Sequence, residues 1–214
     1  MQIQRLMAGS TLALAVALAS APASAAIIVD TGEGLGSLGP DLNATQGLAA
    51  RFTVTTTTQL TDLTGFMRAN SAPGTFTVAV REDGETPGAV LFSDTATADV
   101  SDGFYGLHGA SWLVGPGSYW LAFQVRPGDT LDGNMPNEAP SPQATEAYYW
   151  EITWAGGSAA GWEQYNHLGL GVRISGDAVA AVPEPASWAL MLTGFLGAGA
   201  ALRRDRRRQP ALAV

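Results

Sequence analysis

The chain of 214 residues contains no cysteine and no lysine, and only two histidines, His108 and His167. The absence of cysteine excludes disulfide bonds, thiolate metal sites and thiol catalysis. His108 lies in Gly106-Leu107-His108-Gly109, a segment that predicts a flexible loop. A Ser-His-Asp triad could be drawn from His108 with Ser111 and Asp102, but the chain has no G-x-S-x-G elbow. We therefore expect no intrinsic catalysis.

Positive charge is also scarce in the central part of the chain. Residues 26–182 hold five arginines and 17 acidic residues, a net charge of −12 against −8 for the whole chain. Binding to nucleic acid or to anionic headgroups needs clustered Lys and Arg, so neither partner is predicted. Such a surface fits a soluble body outside the cytoplasm, or one that attracts divalent cations.

Residues 1–25 have the pattern of a secretory signal peptide. Arg5 supplies a positive charge, and the apolar segment Leu12–Ala19 is too short to span a membrane. Ala23-Ser24-Ala25 supplies the small residues that signal peptidase requires, and cleavage is expected after Ala25. The sequence therefore predicts an exported protein.

The C-terminal end contains a longer apolar segment between a proline-rich motif and a cluster of positive charge. Val182-Pro183-Glu184-Pro185 precedes the uncharged run Ala186–Leu202. The cluster behind the run consists of five arginines: Arg203, Arg204, Arg206, Arg207 and Arg208. As a helix the run would be about 26 Å long, close to the thickness of a hydrocarbon core. Because arginines favour the cytoplasmic side, we predict a transmembrane helix with residues 209–214 as a disordered tail.

This order of features resembles the PEP-CTERM sorting signal of bacteria that secrete exopolysaccharide. The resemblance covers Val182 to Arg208. It implies that Pro183, Glu184 and Pro185 are recognised by exosortase, an intramembrane cysteine transpeptidase that is thought to remove the helix in that family. Two prolines also keep the motif extended. The alternative is an ordinary single-pass anchor with a short stalk.

Residues 26–180 contain β-type segments separated by glycine, proline and acidic turn residues. The predicted strands are 50–60, 75–81, 89–93, 117–126, 146–154 and 168–175. In 75–81, for example, Phe76, Val78 and Val80 share one face. No segment of this region shows a sustained helical period. The pattern predicts an all-β domain, a single antiparallel β-sandwich of about eight strands with jelly-roll-like topology.

Two strings within this domain carry a second resemblance. Residues 78–91, VAVREDGETPGAVL, are similar to the strand, D-G-x-x-P-G, strand hairpin of bacterial surface sandwiches called choice-of-anchor domains. Residues 115–121, GPGSYWL, are similar to the G-x-Y-W-L start of a later strand in those domains. The resemblance implies a body that stands in front of an interchangeable anchor and has no assigned activity.

Aromatic residues cluster late in the domain. The cluster lies within 18 residues and comprises Tyr148, Tyr149, Trp150, Trp154, Trp162 and Tyr165. Along a strand, Tyr148, Trp150 and Ile152 share one face, which we interpret as the core. Tyr149, together with Trp162 and Tyr165 presented by a glycine-rich loop at 155–161, is then a candidate glycan platform. The alternative is that these aromatics only fill the core.

Acidic residues in turns raise two weaker possibilities. Asp129 with Asp132, and Asp99 with Asp102, each lie near a glycine as calcium ligands do, but neither pair has EF-hand spacing. Solvated turns are the competing interpretation, and no cofactor is predicted. A glycosidase needs only two carboxylates, and among 17 a suitable pair would arise by chance.

Together these patterns predict an exported cell-surface or exopolysaccharide-associated protein that is sorted by its C-terminal anchor. A carbohydrate-binding module is the first alternative, and a periplasmic glycan hydrolase is the second. The expected partners are signal peptidase, an exosortase-type transpeptidase, the membrane and an exopolysaccharide. The precursor is expected in the inner membrane with its body outside the cytoplasm, and the mature form in the envelope, at the surface or in the extracellular matrix.

Overall fold

A computed structural model of the chain describes residues 25–36, 39–155, 157–179, 190–199 and 203. These residues form twelve β-strands and one short helix. The strands are β1 (Ala26–Asp30), β2 (Asp41–Leu42), β3 (Gln46–Val54), β4 (Thr58–Ala69), β5 (Gly74–Glu82), β6 (Val90–Ala98), β7 (Gly103–Val114), β8 (Gly117–Gln124), β9 (Gly133–Asn134), β10 (Glu146–Trp154), β11 (Gly157–Gln164) and β12 (Val172–Ala178). The all-β prediction is confirmed.

The strands form two six-stranded antiparallel sheets. The first sheet has the order β1-β12-β4-β9-β2, and β7 also pairs with β4. The second sheet has the order β11-β10-β3-β8-β5-β6. Without the two-residue strands β2 and β9 and the β10–β11 hairpin, the sheets reduce to β1-β12-β4-β7 and β3-β8-β5-β6. This reduced order is the connectivity of a jelly roll. The β10–β11 hairpin extends the second sheet beyond β3.

The main hydrophobic core lies between the two sheets. Fully buried side chains from both sheets meet there: Leu60, Leu63 and Met67 from β4, Ile174 from β12, Phe76, Val78 and Val80 from β5, and Leu121 and Phe123 from β8. The Phe76 and Phe123 ring centroids are 6.3 Å apart. Truncating such a side chain to alanine typically costs about 2–5 kcal/mol of stability. Because Phe76, Val78 and Val80 are all fully buried, the predicted apolar face of β5 is the core face.

Several predicted segment boundaries are wrong. Segment 50–60 is two strands, because β3 ends at Val54 and β4 begins at Thr58 in the other sheet. The predicted loop around His108 is part of β7. Its glycine signal marks a bulge: Gly109 has a φ of 69°, and the β4–β7 register shifts between Leu60 and Asp62. The predicted glycine-rich loop at 155–161 is largely strand β11.

A helix, which we call α1, is described at residues 190–199, within the predicted spanning run. Its large apolar side chains are all at least half exposed: Leu190, Met191, Leu192, Phe195 and Leu196. Over the part of the chain that the structure covers, no helix has both the length and the apolar character needed to cross a membrane. The predicted transmembrane helix over Ala186–Leu202 is therefore not confirmed.

Candidate functional site

The outer face of the second sheet carries four fully buried alanines, which we call the alanine row. Its members are paired neighbours across four strands: Ala147 on β10, Ala49 on β3, Ala122 on β8 and Ala79 on β5. All four are 0% exposed, although this face points away from the main core. Trp120 and Trp162 form a second apolar cluster with three of them. The alanine row is thus a floor that larger side chains cover.

Trp120 closes one end of this face. It is 0% exposed, and its indole N–H donates to the carbonyl of Gly84 at 3.3 Å. The turn between β5 and β6, which holds the D-G-x-x-P-G string, therefore folds over the indole. Arg51 on β3 anchors the turn through an ion pair with Asp83, with Nε and Oδ1 2.7 Å apart. The hydrogen bond from Arg51 lowers the pKa of the Asp83 carboxyl.

Tyr149 and Trp162 form a cross-strand aromatic pair on the same face. They are directly opposite one another on β10 and β11, with ring centroids 5.7 Å apart and planes inclined at 60°. Both side chains are partly buried. Aromatic pairs of this kind contribute about 0.5–1.5 kcal/mol beyond their buried area. Trp162 was expected on a loop, but the structure places it on a strand, where its direction is set by the pairing with Tyr149.

Tyr165, the third predicted member of the glycan platform, lies elsewhere. It is 51% exposed and packs edge-on against Tyr148 and His167, at centroid distances of 6.0 and 6.1 Å. Tyr148 packs against the main core, so this cluster belongs to the opposite face of the hairpin. The structure therefore joins Tyr149 with Trp162 and separates both from Tyr165.

The interpretation that Ile152 lies in the core is wrong. Ile152 is 58% exposed. The β10–β3 pairing ends at Trp150, opposite Gln46, so the distal half of the β10–β11 hairpin extends beyond the sandwich. Alternation identified the correct face of β10, but it contained no information about where the neighbouring strand β3 begins.

Two arginines meet beside the aromatic pair. Arg81 Nη1 and Arg126 Nη2 each donate to Gln124 Oε1 at 3.3 Å. Arg81 also donates from Nε to the Gly88 carbonyl at 2.9 Å, and its guanidinium carbon lies 5.5 Å from the centre of the Trp162 ring. Burial lowers the pKa of Arg81, and the nearby positive charge of Arg126 lowers it further. Sequence reasoning missed both arginines; their rarity in residues 26–182 was the available signal.

These side chains border a groove of about 580 Å³. Tyr149 and Trp162 line it from the hairpin, and Arg81, Gln124 and segment 125–129 line it from the other side. A Cβ on Gly47 would lie 2.9 Å from the Gln124 side chain and 3.3 Å from the Cβ of Tyr149. The absence of a side chain at Gly47 therefore allows the two walls of the groove to approach each other.

Two carboxylates also line the groove. Asp129 Oδ2 accepts the hydroxyl of Thr77 at 2.8 Å and the backbone N–H of Arg126 at 2.9 Å. Glu151 is exposed. Burial raises the pKa of the Tyr149 hydroxyl, and the charge of Glu151 raises it further. The groove therefore combines aromatic faces, two cations and exposed acceptor oxygens, which is the equipment for holding a polar, ring-shaped ligand.

The candidate calcium residues have protein partners. Asp132 Oδ1 accepts the amide of Asn70 at 3.2 Å, and Asp99 Oδ1 accepts the N–H of Val100 at 2.7 Å. The carboxylate of Asp102 lies 3.5 Å from a nitrogen of Arg68. Among the residues placed by the structure, no group of three or more His, Cys, Asp or Glu side chains is positioned to hold a metal ion.

The triad drawn from the sequence is not assembled. His108 Nδ1 lies 3.0 Å from Asp62 Oδ1 across the β4–β7 pairing, whereas Asp102 pairs with Arg68. Ser111 is exposed on β7. The histidine is therefore engaged by a carboxylate other than the one that the triad required.

One buried carboxylate that the sequence did not single out anchors the β10–β11 hairpin. Glu146 is 0% exposed, and its two oxygens accept the N–H groups of Gly169 and Leu170, each at 2.8 Å. Burial raises the pKa of Glu146, although hydrogen bonds from the backbone at 168–170 act in the opposite direction. Glu146 thus joins the first residue of β10 to the segment that leads into β12.

The similarity to a known protein family lies in the C-terminal region. Residues 181–208 match the PEP-CTERM protein-sorting motif. The motif indicates a protein that is sorted to the cell surface by an exosortase-type system. No curated protein matches the chain.

Most of the predicted sorting and processing residues fall outside the residues that the structure describes. These are Ala23, Val182, Pro183, Glu184, Pro185, Arg204, Arg206, Arg207 and Arg208. Arg203 is described and exposed. Ala25 is described and exposed, and β1 begins at the next residue. The resemblance of residues 78–91 to choice-of-anchor domains stays a prediction, although their strand–turn–strand hairpin is present as β5 and β6.

Proposed function

We propose that this chain is an exported, non-catalytic surface protein whose C-terminal helix is removed by an exosortase-type transpeptidase. The sorting motif at 181–208 carries the proposal, because it directly follows a folded body whose last strand, β12, ends at Ala178. The precursor would sit in the inner membrane with the sandwich outside the cytoplasm. The mature protein would lie in the envelope, at the cell surface or in the matrix.

Two structural observations support this arrangement. The ten residues of α1 carry no charge, and their large apolar side chains are exposed in the isolated chain. A helix that is apolar on all sides is expected where a membrane or a protein interior covers it. At the other end, cleavage after Ala25 would leave every described strand intact, because β1 starts at Ala26.

The absence of catalysis is proposed on the basis of the pairing of the titratable groups. His108 is held by Asp62, and Asp102 is held by Arg68, so neither is available for the triad that the sequence allowed.

Replacing Pro183-Glu184-Pro185 by three alanines tests the sorting proposal. In cells that contain the sorting enzyme, the unaltered protein should lose its helix and leave the inner membrane. The triple variant should keep the mass of the helix-bearing form and stay in the inner membrane, as should the unaltered protein in cells without the enzyme. Pro142→Ala, at an exposed site in the body, is the matched control. Identical masses and fractions for all of these would reject the proposal.

Glycan binding is a second candidate function, and the Tyr149–Trp162 pair beside the groove favours it. Tryptophan and tyrosine rings stack on the C–H faces of sugars, while nearby polar groups bind the hydroxyls. In affinity electrophoresis, a glycan included in the gel should slow the migration of the unaltered purified protein. Trp162→Ala should abolish this retardation. Tyr165→Ala, on the opposite face, should have no effect. Unchanged retardation of Trp162→Ala would reject a glycan site at this pair.

A further inference from the structure

The arginines of the body fall into two groups according to their partners. Three of the five hold an aspartate: Arg51 with Asp83, Arg68 with Asp102 and Arg173 with Asp30. The other two are Arg81 and Arg126, and both line the groove. No carboxylate oxygen of a described residue lies within 4.0 Å of a guanidinium nitrogen of either arginine. In a region with 17 acidic residues, the cations without a carboxylate partner are thus the two that meet at one site.

The positive charges of these two arginines are not balanced by the group that they share. Both guanidinium groups donate to the same neutral oxygen, Gln124 Oε1. Like charges that share one acceptor repel each other, and partial burial strengthens the repulsion. An anion between them would remove the repulsion and accept charge-assisted hydrogen bonds, for which the planar fork of arginine is well suited.

The surroundings of the arginines narrow the class of anion. The Trp162 ring lies 5.5 Å from the guanidinium carbon of Arg81, so a ligand that reaches the cation also meets an aromatic face. Asp129 and Glu151 line the same groove, and the body carries a net charge of −12. These negative charges oppose a densely charged polymer such as a nucleic acid. They suit a sparsely charged ligand whose hydroxyl groups can donate to carboxylates.

We propose that the groove binds an acidic saccharide, a glycan in which a sugar ring carries a carboxylate. Arg81 and Arg126 bind the carboxylate, Trp162 and Tyr149 contact the sugar face, and Glu151 accepts a hydroxyl. This assignment rests on the glycan-binding function proposed above and adds the chemical class of the sugar.

The test measures binding of the purified full chain to hyaluronate, unsulfated chondroitin and gellan, in which only some of the sugar rings carry a carboxylate, and to the methyl ester of each polymer. Esterification removes the charge and leaves the sugar in place. Because hydrogen bonds to charged groups are stronger than those to neutral groups, we expect at least one acidic polymer to bind about tenfold or more tightly than its ester. Arg126→Gln should remove that preference. Within the described part of the chain, Gln124 is the hydrogen-bond partner of the Arg126 side chain, so the variant should fold.

Arg173→Gln is the matched control, because it makes the same change of charge on β12 of the other sheet. It should keep the preference for the acidic polymer. Equal binding of acid and ester, with loss of both in Trp162→Ala, would overturn the acidic-sugar assignment and leave glycan binding standing. Binding to none of the six polymers would overturn both. Equal affinity for polyglutamate or dextran sulfate would also overturn the assignment, because it would show a general anion site.

Discussion

The guanidinium carbon of Arg81 lies 5.5 Å from the centre of the Trp162 ring, although three strands separate β5 from β11. The two side chains extend toward each other across the alanine row, whose short side chains leave the space above the sheet open to them. This crossing explains why the alanines are fully buried on an outer face. It also places a cation beside the aromatic wall of the groove.

A double-mutant cycle should detect this contact. The variants are Arg81→Ala, Trp162→Ala and the double substitution, and the measurement is the free energy of unfolding in urea. Cation–π contacts are worth about 0.5–2 kcal/mol, so we expect a coupling energy in that range. The cycle for Arg173 and Phe104, whose separation is 3.9 Å, serves as a positive control. Additive effects at positions 81 and 162 would contradict the contact.

Gly47→Ala should destabilise the domain and narrow the groove. The added Cβ would lie 2.9 Å from the Gln124 side chain and 3.0 Å from the carbonyl oxygen of Phe123. Overpacking of this kind typically costs about 1–3 kcal/mol, which thermal unfolding would measure. Gly161→Ala on β11 is the control, since nothing lies within 4 Å of its added Cβ. Similar melting temperatures for both variants would show that the sheet absorbs the methyl group at Gly47.

Glu146→Gln should lower stability, most of all at acidic pH. The amide offers one acceptor oxygen, and its NH2 group faces the second N–H as another donor. The hydroxyl oxygen of the protonated carboxyl can still accept a hydrogen bond, so the substitution costs about 1–3 kcal/mol. Because burial raises the pKa of Glu146 above 4.5, the folded state holds the proton more tightly than the unfolded state. The stabilisation from this proton is complete below the unfolded value and is lost as pH rises through the folded value.

The difference in unfolding free energy between the unaltered protein and Glu146→Gln should therefore shrink as pH rises from below 4.5 toward neutrality. Urea titrations at several pH values would measure it. Glu85→Gln, at an exposed turn, should change stability by less than about 0.5 kcal/mol throughout. A gap that grows with pH would show that the backbone N–H groups outweigh burial at this carboxylate.

Local pattern predicted much of the sheet architecture and part of the site. Alternation identified the core face of β5 and placed Tyr149 on the outer face of β10, because side-chain direction in a strand depends only on the period of two. The same rule could not predict the exposure of Ile152, which depends on where β3 begins. Glycines near His108 and at 155–161 predicted loops, but in a sheet glycine also occurs at bulges and in edge strands.

The sequence by itself determined the sorting signal and the all-β class of the fold. An apolar run between a Pro-Glu-Pro triplet and a cluster of arginines, together with short alternating strands, is readable because each signal is contiguous. The tertiary structure decided which side chains share the groove. Arg81 and Gln124 meet through the β5–β8 pairing, and the position of the β10–β11 hairpin beside β3 adds Trp162. Strand order decides this arrangement, because long-range pairing leaves no local pattern in the residues that it joins.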